Sequence, residues 1–319
     1  MDEIITLDYG SGGKKTSRLI ENMLAPVMDL GELGDGALLE DNIAFSTDSF
    51  VISPIFFPGG DIGKLSVCGT VNDLAMCGAE PKYLSCALII EEGFDTDSLQ
   101  KIIDSMAKTA ERAGVKIVTG DTKVVEKGRG DKIYINTAGI GFVKHKGLSP
   151  KNMKPGDKVI VSGTVGDHGT AVMLARSNMM QTDLVSDCQP LNGAVERIMN
   201  PGVRVLRDPT RGGVATTLNE FVEGTELSIE VEETAVPVRA SVNSACEILG
   251  LDPLYCANEG KFLCIVAPEY AEMVLQELPE GAVIGEVTEN YPGKVVINTR
   301  LGGHRIVQKL SGAQLPRIC

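Results

Sequence analysis

The sequence predicts an α+β protein of two domains, in which mixed sheets are flanked by helices. At 319 residues the chain is long for a single hydrophobic core. Each half combines several strand patterns with two or more helix patterns. Between the halves, residues 147–157 (GLSPKNMKPGD) concentrate glycine, proline, serine and lysine, which is typical of a linker. We therefore expect an N-terminal domain at 1–148, a C-terminal domain at 149–310 and a mobile tail at 311–319.

The N-terminal half alternates strand and helix patterns. Residues 43–53 (IAFSTDSFVIS) mix β-branched and aromatic side chains and predict a strand that is interrupted at Asp48. The clearest helix has apolar residues at i, i+3, i+4 and i+7 between Leu99 and Ala110, with Asp97 as its candidate cap. The other predicted elements are helices at 16–24 and 61–78, and strands at 82–90, at 115–125 with a break at Gly120-Asp121, and at 132–143.

The C-terminal half has the same mixture of patterns. Residues 157–176 predict a strand, a glycine loop and a helix in succession. Residues 207–224, which begin with RDPTRGG, predict a turn that leads into a helix. The other predicted elements are strands at 227–238, 261–268, 282–289, 294–299 and 304–310, and helices at 239–250 and 269–278.

Composition excludes some classes of function. The net charge of −13 argues against general binding to a nucleic-acid backbone or to an anionic membrane surface. It remains compatible with a nucleotide bound together with Mg²⁺, because carboxylates that hold a metal are themselves acidic. No apolar run is long enough to span a bilayer, and the start MDEIITLDYG has no signal-peptide pattern. We therefore expect a cytoplasmic protein without a membrane partner.

The cysteines point to the end of the chain. Eight cysteines are scattered without a CxxC pair, and the three histidines form no ligand motif, so zinc and iron–sulfur sites are not indicated. Most cysteines lie in apolar stretches, where cysteine behaves as a small hydrophobe. Cys319 is different because it ends the tail SGAQLPRIC, outside any plausible core segment. A chain that merely stops at a cysteine is the simpler interpretation, but an exposed thiol is prone to oxidation and exchange.

A set of aspartates marks a candidate nucleotide site. Several aspartates on separate strand ends can converge on Mg²⁺ and phosphates, since Mg²⁺ is held by a few carboxylates and water. The alternative is that each is a turn former or a helix cap, which is a common role for aspartate. That alternative is weaker for Asp48 and Asp73, which stand inside a strand pattern and a helix pattern. The candidates, each flanked by Gly, Ser, Thr or Asn, are Asp41, Asp48, Asp73, Asp121, Asp167 and Asp208.

Other polar residues are less specific. Residues 8–17 (DYGSGGKKTS) resemble a P-loop but fail its pattern, and a plain surface loop is the better interpretation. Backbone N–H groups and lysines of this loop can still contact phosphate. Glu259 precedes a buried strand pattern, and Lys123 follows Asp121. Such groups beside a phosphate can neutralise charge or move a proton, whereas spacing alone favours solvated strand ends.

Taken together, the motifs resemble a known superfamily. STDSFV, VNDLAMCGAEP, TGDTKVV, VGDHG, RDPTRGGVATTLNE and ANEGKF resemble the ATP-dependent superfamily of aminoimidazole ribonucleotide synthetase and selenophosphate synthetase. Within it, the terminal PRIC and the RDPTRGG run are similar to the HypE family of hydrogenase maturation proteins, which are carbamoyl dehydratases. The resemblance extends from about Tyr9 to Cys319. It implies the two-domain aminoimidazole ribonucleotide synthetase-like fold and a homodimer whose N-terminal domains pair in a β-barrel.

The resemblance also implies a chemical role for the tail. In that family the C-terminal cysteine, here Cys319, receives a carbamoyl group, and ATP phosphorylates the carbamoyl oxygen. Elimination of phosphate leaves a thiocyanate, whose cyano group becomes a cyanide ligand of [NiFe]-hydrogenase. Glu259 and Lys123 are then the candidates for proton transfer and charge stabilisation. The implied Mg²⁺ ligands are Asp41, Asp48, Asp73, Asp121 and Asp208. The implied ATP-binding residues are Asp48, Asn72, Asp73, Gly120, Asp121, Asp167, Asp208, Arg211 and Asn258.

The implied partners are the carbamoyltransferase HypF, which loads the tail, and a HypC–HypD scaffold complex, which receives the cyano group. Two alternatives remain open from the sequence. One is a superfamily enzyme that acts on a free small molecule of the selenophosphate, purine or thiamine phosphate type. The other is a nucleotide-binding scaffold whose tail docks a partner. A selenophosphate synthetase would carry a reactive cysteine near the glycine loop, whereas the first cysteine here is Cys68.

Overall fold

Two large β-sheets, one in each half of the sequence, organise the chain in a computed structural model. The described residues are 4–28, 30, 34–177, 183–310, 312, 314, 315 and 317–319. Among them, no helix is both long enough and apolar enough to span a bilayer.

The N-terminal half forms a sheet with the strand order β1-β2-β7-β5-β6 and a small β3-β4 hairpin. β5 and β6 are parallel and are connected through α3, whereas β7 pairs antiparallel with both β2 and β5. The elements in chain order are α1 (Lys14–Leu19), a π-helical turn (Ile20–Leu24), β1 (Ala37–Leu38), β2 (Ile43–Phe50), β3 (Phe56–Phe57), β4 (Gly60–Asp61), α2 (Ile62–Met76), β5 (Ala79–Glu91), α3 (Thr96–Ala113), β6 (Lys116–Val125) and β7 (Ile133–Val143).

The two faces of this sheet differ in burial. Helices α2 and α3 cover one face, where Leu65, Ile102 and Ile135 belong to the same buried cluster. Helix α2 is buried almost throughout, and α3 buries one stripe and ends at Gly114 in the left-handed region. Side chains alternate along a strand, so the strand residues next to the buried ones point to the opposite face of the sheet. That outer face exposes five large apolar side chains, those of Phe45, Tyr83, Ile89, Ile140 and Phe142.

The C-terminal half forms a second sheet with the strand order β14-β13-β10-β12-β8-β11-β9. Among the described strands of this second sheet, only the β10–β13 pairing is parallel. The elements in chain order are β8 (Lys158–Val161), α4 (Asp167–Ser177), α5 (Asn192–Ile198), β9 (Val203–Arg207), α6 (Gly213–Val222), β10 (Ser228–Glu232), α7 (Ala240–Leu249), β11 (Leu263–Val266), α8 (Ala271–Gln276), β12 (Ala282–Thr288), β13 (Val295–Asn298) and β14 (His304–Val307).

Helices cover both faces of the second sheet. Val159 and Val161 of β8 face α6, whereas Ile160 between them joins a cluster with α5 and α8. Ala75 and Met76 from the end of α2 also belong to that second cluster. The last turn of α2 therefore connects the two halves, and this contact brings polar residues of α2 close to those that follow β9.

The expected α+β class is confirmed, with two corrections to the strands. β2 continues through Asp48, which pairs with Thr137, and β6 continues through Gly120 and Asp121. At Gly120 a Cβ atom would lie 2.2 Å from the carbonyl oxygen of Cys86, so glycine permits close pairing there instead of breaking the strand. The sequence patterns also missed several short elements, namely β1, β3, β4, α5 and β9.

Candidate active site

Three carboxylates from separate elements meet between the two halves of the chain. Asp35 precedes β1, Asp73 lies in the last turns of α2, and Asp208 follows β9 directly. One carboxylate oxygen from each lies within 4.8 Å of the others. The Ser46 hydroxyl donates to Asp73 Oδ2 over 2.5 Å, and Arg207 Nε lies 3.0 Å from Asp35 Oδ1.

The cluster contains more negative than positive charge. Burial raises the pKa of Asp35 to about 6, although Arg207 opposes the shift. Burial first, and then neighbouring carboxylates, raise the pKa of Asp73 and of Asp208 well above the usual value. Asp208 Oδ2 is buried without a hydrogen-bond partner among the described residues. An all-oxygen set of carboxylates with an unsatisfied atom suits a hard cation, so these residues fit Mg²⁺.

Glu259 is a buried carboxyl next to this cluster. Its side chain is 2% exposed, and Oε1 has no hydrogen-bond partner among the described residues. Burial, followed by the charges of Asp208, Asp48 and Asp187, raises the pKa of Glu259 well above its usual value, and Arg211 opposes the shift. A carboxyl in such surroundings can accept a proton near neutral pH.

The backbone around Glu259 is held rigidly. The carboxylate of Asp187 accepts hydrogen bonds from the N–H groups of Glu259 and Gly260 at 3.1 and 3.2 Å. At Gly260 a Cβ atom would lie 1.9 Å from the carbonyl oxygen of Asp187, so only glycine allows this approach. Glu259 therefore projects from a loop with little freedom to move.

Two predicted ATP-binding amides, those of Asn72 and Asn258, also hold backbone in place. The Asn258 Oδ1 accepts from the Gly166 N–H at 2.7 Å, and its Nδ2 donates to the Pro209 carbonyl at 3.1 Å. Asn72 accepts from the Leu191 N–H at 2.8 Å. These hydrogen bonds connect the loops around the site to one another. They also satisfy the two amides, since buried polar groups need hydrogen-bond partners.

Asp167 and Arg211 lie on loops tied to the same region. Asp167 begins α4, and its Oδ2 accepts from the Thr164 hydroxyl at 2.5 Å, while its buried Oδ1 has no hydrogen-bond partner among the described residues. Arg211 lies in the turn before α6, where Gly212 and Gly213 both have positive φ. Its Nη1 donates to the Gly10 carbonyl at 3.1 Å, which connects this turn to the predicted glycine loop.

The end of the tail lies inside the protein. Ile318 is 2% exposed and Cys319 is 9% exposed, and both belong to the cluster of apolar residues beneath α2. The expectation that Cys319 lies outside a core is therefore wrong. The sequence could not reveal this burial, because the groove that receives the tail is formed by residues far away in the chain.

The surroundings of the Cys319 thiol are those of the acidic site. Burial raises the pKa of this thiol to about 12, with further increases from Glu259, Asp48 and Asp208, and Arg211 opposes the shift. The side chain of Arg317 is engaged away from the thiol: it pairs with Asp131, and its Nε donates to the Val51 carbonyl at 2.9 Å. A cavity of about 160 Å³ adjoins the thiol and is lined by both Arg211 and the glycine loop at Gly10 and Ser11.

Four of the predicted site residues lie away from the carboxylate cluster. Asp41 is exposed in a 3₁₀ turn with a φ of 57°. Gly120, Asp121 and Lys123 lie on β6, at the sheet edge opposite β1, where Lys123 Nζ pairs with Asp121 Oδ2 at 2.6 Å. The described residues of one chain do not bring these four into the carboxylate cluster, because β6 is a solvent-exposed edge strand.

Asp35 is the functional candidate that sequence reasoning missed. It stands between Gly34 and Gly36, and so it carries the same glycine-flanked signal as Asp121 and Asp167. Outside any clear strand or helix pattern, that signal was not separable from an ordinary turn. Arg207, which pairs with both Asp35 and Glu220, was missed together with β9.

Comparisons of sequence assign the two halves to one family. The model of AIR synthase related protein, N-terminal domain, matches residues 33–143, and that of the C-terminal domain matches residues 154–298. Carbamoyl dehydratase HypE of Rhizobium leguminosarum bv. viciae is 47% identical over 99% of this chain and 95% of its own length. Carbamoyl dehydratase HypE of Escherichia coli K12 is 44% identical over 99% of both chains.

Comparisons of structure agree. A crystal structure of hydrogenase maturation protein HypE in complex with ATP is 46% identical, with a TM-score of 0.84 over 99% of this chain and 100% of that one. HypE in a HypE–HypF complex is 50% identical, with a TM-score of 0.87 over 92% and 99% of the two chains. Thiamine monophosphate kinase of Aquifex aeolicus, 18% identical with a TM-score of 0.70 over 92% and 97% of the two chains, shares the fold. The expected two-domain architecture is thus confirmed.

Proposed function

The chain belongs to the AIR synthase related family and, within it, to the carbamoyl dehydratases HypE, and we propose on this premise that it dehydrates its own carbamoylated C-terminal cysteine with ATP. The product is a thiocyanate on Cys319. Its cyano group supplies the cyanide ligands in [NiFe]-hydrogenase maturation.

The position of Cys319 supports this function more than any other single observation. The thiol is buried within the electrostatic reach of Glu259, Arg211 and Asp208, at the end of a chain segment that lies in the groove. Because burial raises the pKa of this thiol to about 12, it is protonated at neutral pH. A neutral thiol suits a substrate carrier better than a nucleophilic catalyst, so Cys319 bears the reacting group.

The reaction balances in two steps. The carbamoyl oxygen attacks the γ-phosphorus of ATP, ADP leaves, and one N–H proton is lost as a C=N bond forms. The second N–H proton is then removed while the C–O bond breaks, which gives the S–C≡N group and inorganic phosphate. Amide oxygen is a poor leaving group, and its conversion to a phosphate ester makes the elimination feasible.

Glu259 is the proposed base for these protons. Its pKa is raised by burial and by neighbouring carboxylates, so the carboxylate form has a strong tendency to take up a proton. Its backbone is fixed by Asp187, which limits how far the carboxyl can move from the tail. Arg211 opposes the negative charge beside the thiol and would stabilise the phosphorylated intermediate.

The three-carboxylate cluster is the proposed cation site for the nucleotide. Asp35, Asp73 and Asp208 would hold Mg²⁺, which when bound would neutralise charge on the ATP phosphates. Asp48 adds negative charge beside them and is the fourth candidate, as the sequence predicted. Gly10 and Ser11 of the glycine loop line the cavity beside Cys319, so this loop is the proposed contact for the ATP phosphates.

A homodimer through the outer face of the N-terminal sheet is part of the proposal. Five large apolar side chains on that face are exposed in the single chain, and Asp121 and Lys123 stand on the same face by strand register. A second copy that covered the face would remove these apolar groups from water. The roles predicted for Asp121 and Lys123 in ATP binding and proton transfer therefore depend on the dimer.

The proposed partners follow from the family. HypF, which is found in a complex with a related HypE, would load the carbamoyl group onto Cys319. A HypC–HypD scaffold would accept the cyano group, and the cytoplasm remains the proposed compartment. Both exchanges require the tail to leave the groove, since Cys319 is buried there.

Removal of the Cys319 thiol distinguishes dehydration of the protein's own tail from an activity on a free small molecule. Ile318 and Cys319 occupy the groove that such a substrate would need. With Cys319 replaced by serine, carbamoylation-dependent hydrolysis of ATP is expected to stop while nucleotide binding persists. ATP turnover that continued on a free small molecule would instead support the alternative of a superfamily enzyme with a free substrate.

A further inference from the structure

A main-chain oxygen of each of the last three residues meets a donor from elsewhere in the chain. The Arg317 oxygen accepts from the Ser53 N–H at 3.2 Å and from Arg176 Nη2 at 2.9 Å. The Ile318 oxygen lies 2.8 Å from His168 Nε2. The Cys319 oxygen accepts from the Val51 N–H at 3.1 Å. The groove thus contacts the main chain of the tail at every one of these residues.

The two side-chain donors come from one face of α4. His168 and Arg176 are eight residues apart, which corresponds to slightly more than two helical turns and places them on the same side of the helix. The guanidinium group of Arg176 also donates to the Ser53 carbonyl, through Nε at 2.9 Å and Nη2 at 2.6 Å. Arg176 therefore joins the tail to the segment that follows β2.

The orientation of the His168 ring is fixed by its other contacts. The ring is fully buried, and burial lowers its pKa to about 4, so it is neutral at physiological pH. Nε2 faces a carbonyl oxygen and must therefore carry the hydrogen, which leaves Nδ1 to accept from the Ser186 hydroxyl at 2.7 Å. The Phe57 ring packs edge-on against the imidazole at 5.5 Å.

We propose that His168 and Arg176, here called the tail clasp, are positioning residues that hold the end of the tail inward by its backbone carbonyls. The clasp recognises main chain, so it is indifferent to the chemical state of the thiol and can retain Cys319 before and after the thiol is modified. The clasp stands on geometry alone, and only its consequence for catalysis rests on the proposed function.

The test measures exposure of Cys319 without ATP or a partner. The full-length protein is treated with iodoacetamide, and digestion with the protease Lys-C releases residues 310–319, whose mass reports alkylation of Cys319 alone. Arg176→Gln removes the charged donor. His168→Leu removes the ring donor, whereas His168→Gln keeps an N–H₂ group near the Nε2 position. Arg197→Gln, at an exposed arginine outside the site, is the matched control.

Loss of a clasp donor is expected to increase the alkylation rate of Cys319 roughly tenfold or more, the effect of one charged or buried hydrogen bond. Arg176→Gln and His168→Leu should show this increase, while His168→Gln and Arg197→Gln stay close to wild type. The Lys-C peptide of residues 159–261, which carries the buried Cys188, Cys246 and Cys256, should remain unmodified, which shows that the fold is intact. Unchanged alkylation of Cys319 in both clasp variants, or equal rates for His168→Leu and His168→Gln, overturns the proposal.

Hydrogen exchange provides a second measurement if His168→Leu does not fold. The Val51 and Ser53 amides donate to the tail, so release of the tail should speed their exchange in Arg176→Gln, and slow exchange there would contradict the clasp. Neither readout depends on catalysis. If the proposed function also holds, Arg176→Gln loaded with carbamoyl should show a reduced dehydration rate with unchanged ATP affinity. A released tail with an unchanged rate would overturn the positioning role alone.

Discussion

The Val51 N–H donates to a main-chain oxygen of Cys319 over 3.1 Å, so Cys319 pairs with the segment just after strand β2. Strand β2 also carries Asp48 and Ser46, which belong to the acidic site. One strand therefore positions both the tail and part of the carboxylate cluster. This arrangement makes the terminal residue a component of the site, and several experiments follow from it.

Replacement of Glu259 by glutamine should strongly lower the dehydration rate without loss of nucleotide binding. Glutamine keeps the size of the side chain and cannot act as a base, and loss of a general base typically lowers a rate by roughly 10²–10⁴-fold. Single-turnover conversion of the carbamoylated protein, followed by mass spectrometry, measures the effect. An abolished affinity for ATP would mean that Glu259 serves the nucleotide and that its assignment as base is wrong.

Replacement of Asp35 by asparagine should weaken binding of a magnesium–nucleotide complex. The change removes one of the three charges that surround the cation site, and we expect an affinity loss of about tenfold or more. Titration calorimetry with a non-hydrolysable ATP analogue at several Mg²⁺ concentrations is the measurement. Asp104→Asn, at an exposed position of α3, is the matched control. Equal affinities for the two variants would remove Asp35 from the cation site.

Acidic pH should destabilise the fold through His168. The folded pKa of about 4 lies below the ordinary value of 6.5, so the contribution of this histidine is complete above about pH 6.5 and is lost as the pH falls towards 4. Between those values the loss is about 1.4 kcal/mol per pH unit for one group. Urea unfolding of wild type and His168→Gln across this range measures the difference. Parallel pH profiles for the two proteins would contradict a neutral, buried His168.

A charge on the outer face of the N-terminal sheet should prevent dimer formation. Phe142 is 40% exposed near the end of β7, the central strand of that sheet, and Phe142→Asp would place a carboxylate in the proposed interface. Light scattering coupled to gel filtration should then report a monomer, whereas the wild type is expected to elute as a dimer. Leu301→Asp, at an almost fully exposed leucine, should leave the dimer unchanged. A monomeric wild type would refute the proposed interface.

The sequence predicted the longer elements well, because their apolar periodicity is strong. Helix α3, for example, follows directly from the spacing between Leu99 and Ala110. Short segments such as β9 carried too few residues for a period to be recognised. The sequence predicts strand breaks at Asp48 and Gly120 because aspartate and glycine are rare in strands, whereas both lie in regular ladders here.

The candidate site was predictable in part. Asp73 and Asp208 stand out by their polar neighbours in sequence and Glu259 by its place before a buried strand, and the structure brings them into one acidic region. Asp35 and the tail clasp were not found, since their importance arises from contacts between distant segments. Glycine-flanked aspartates look alike in sequence, and only the fold separates Asp35 in the cluster from Asp121 on an exposed edge.

Mass spectrometry of residue Cys319 tests the central claim most directly. The full-length protein is incubated with ATP, Mg²⁺, carbamoyl phosphate and a HypF carbamoyltransferase, and the peptide of residues 310–319 is then weighed. We expect this peptide first to gain a carbamoyl group and then, only when ATP is present, to lose the mass of one water molecule. A carbamoylated peptide that never loses water while ATP is bound would contradict the assignment as a dehydratase.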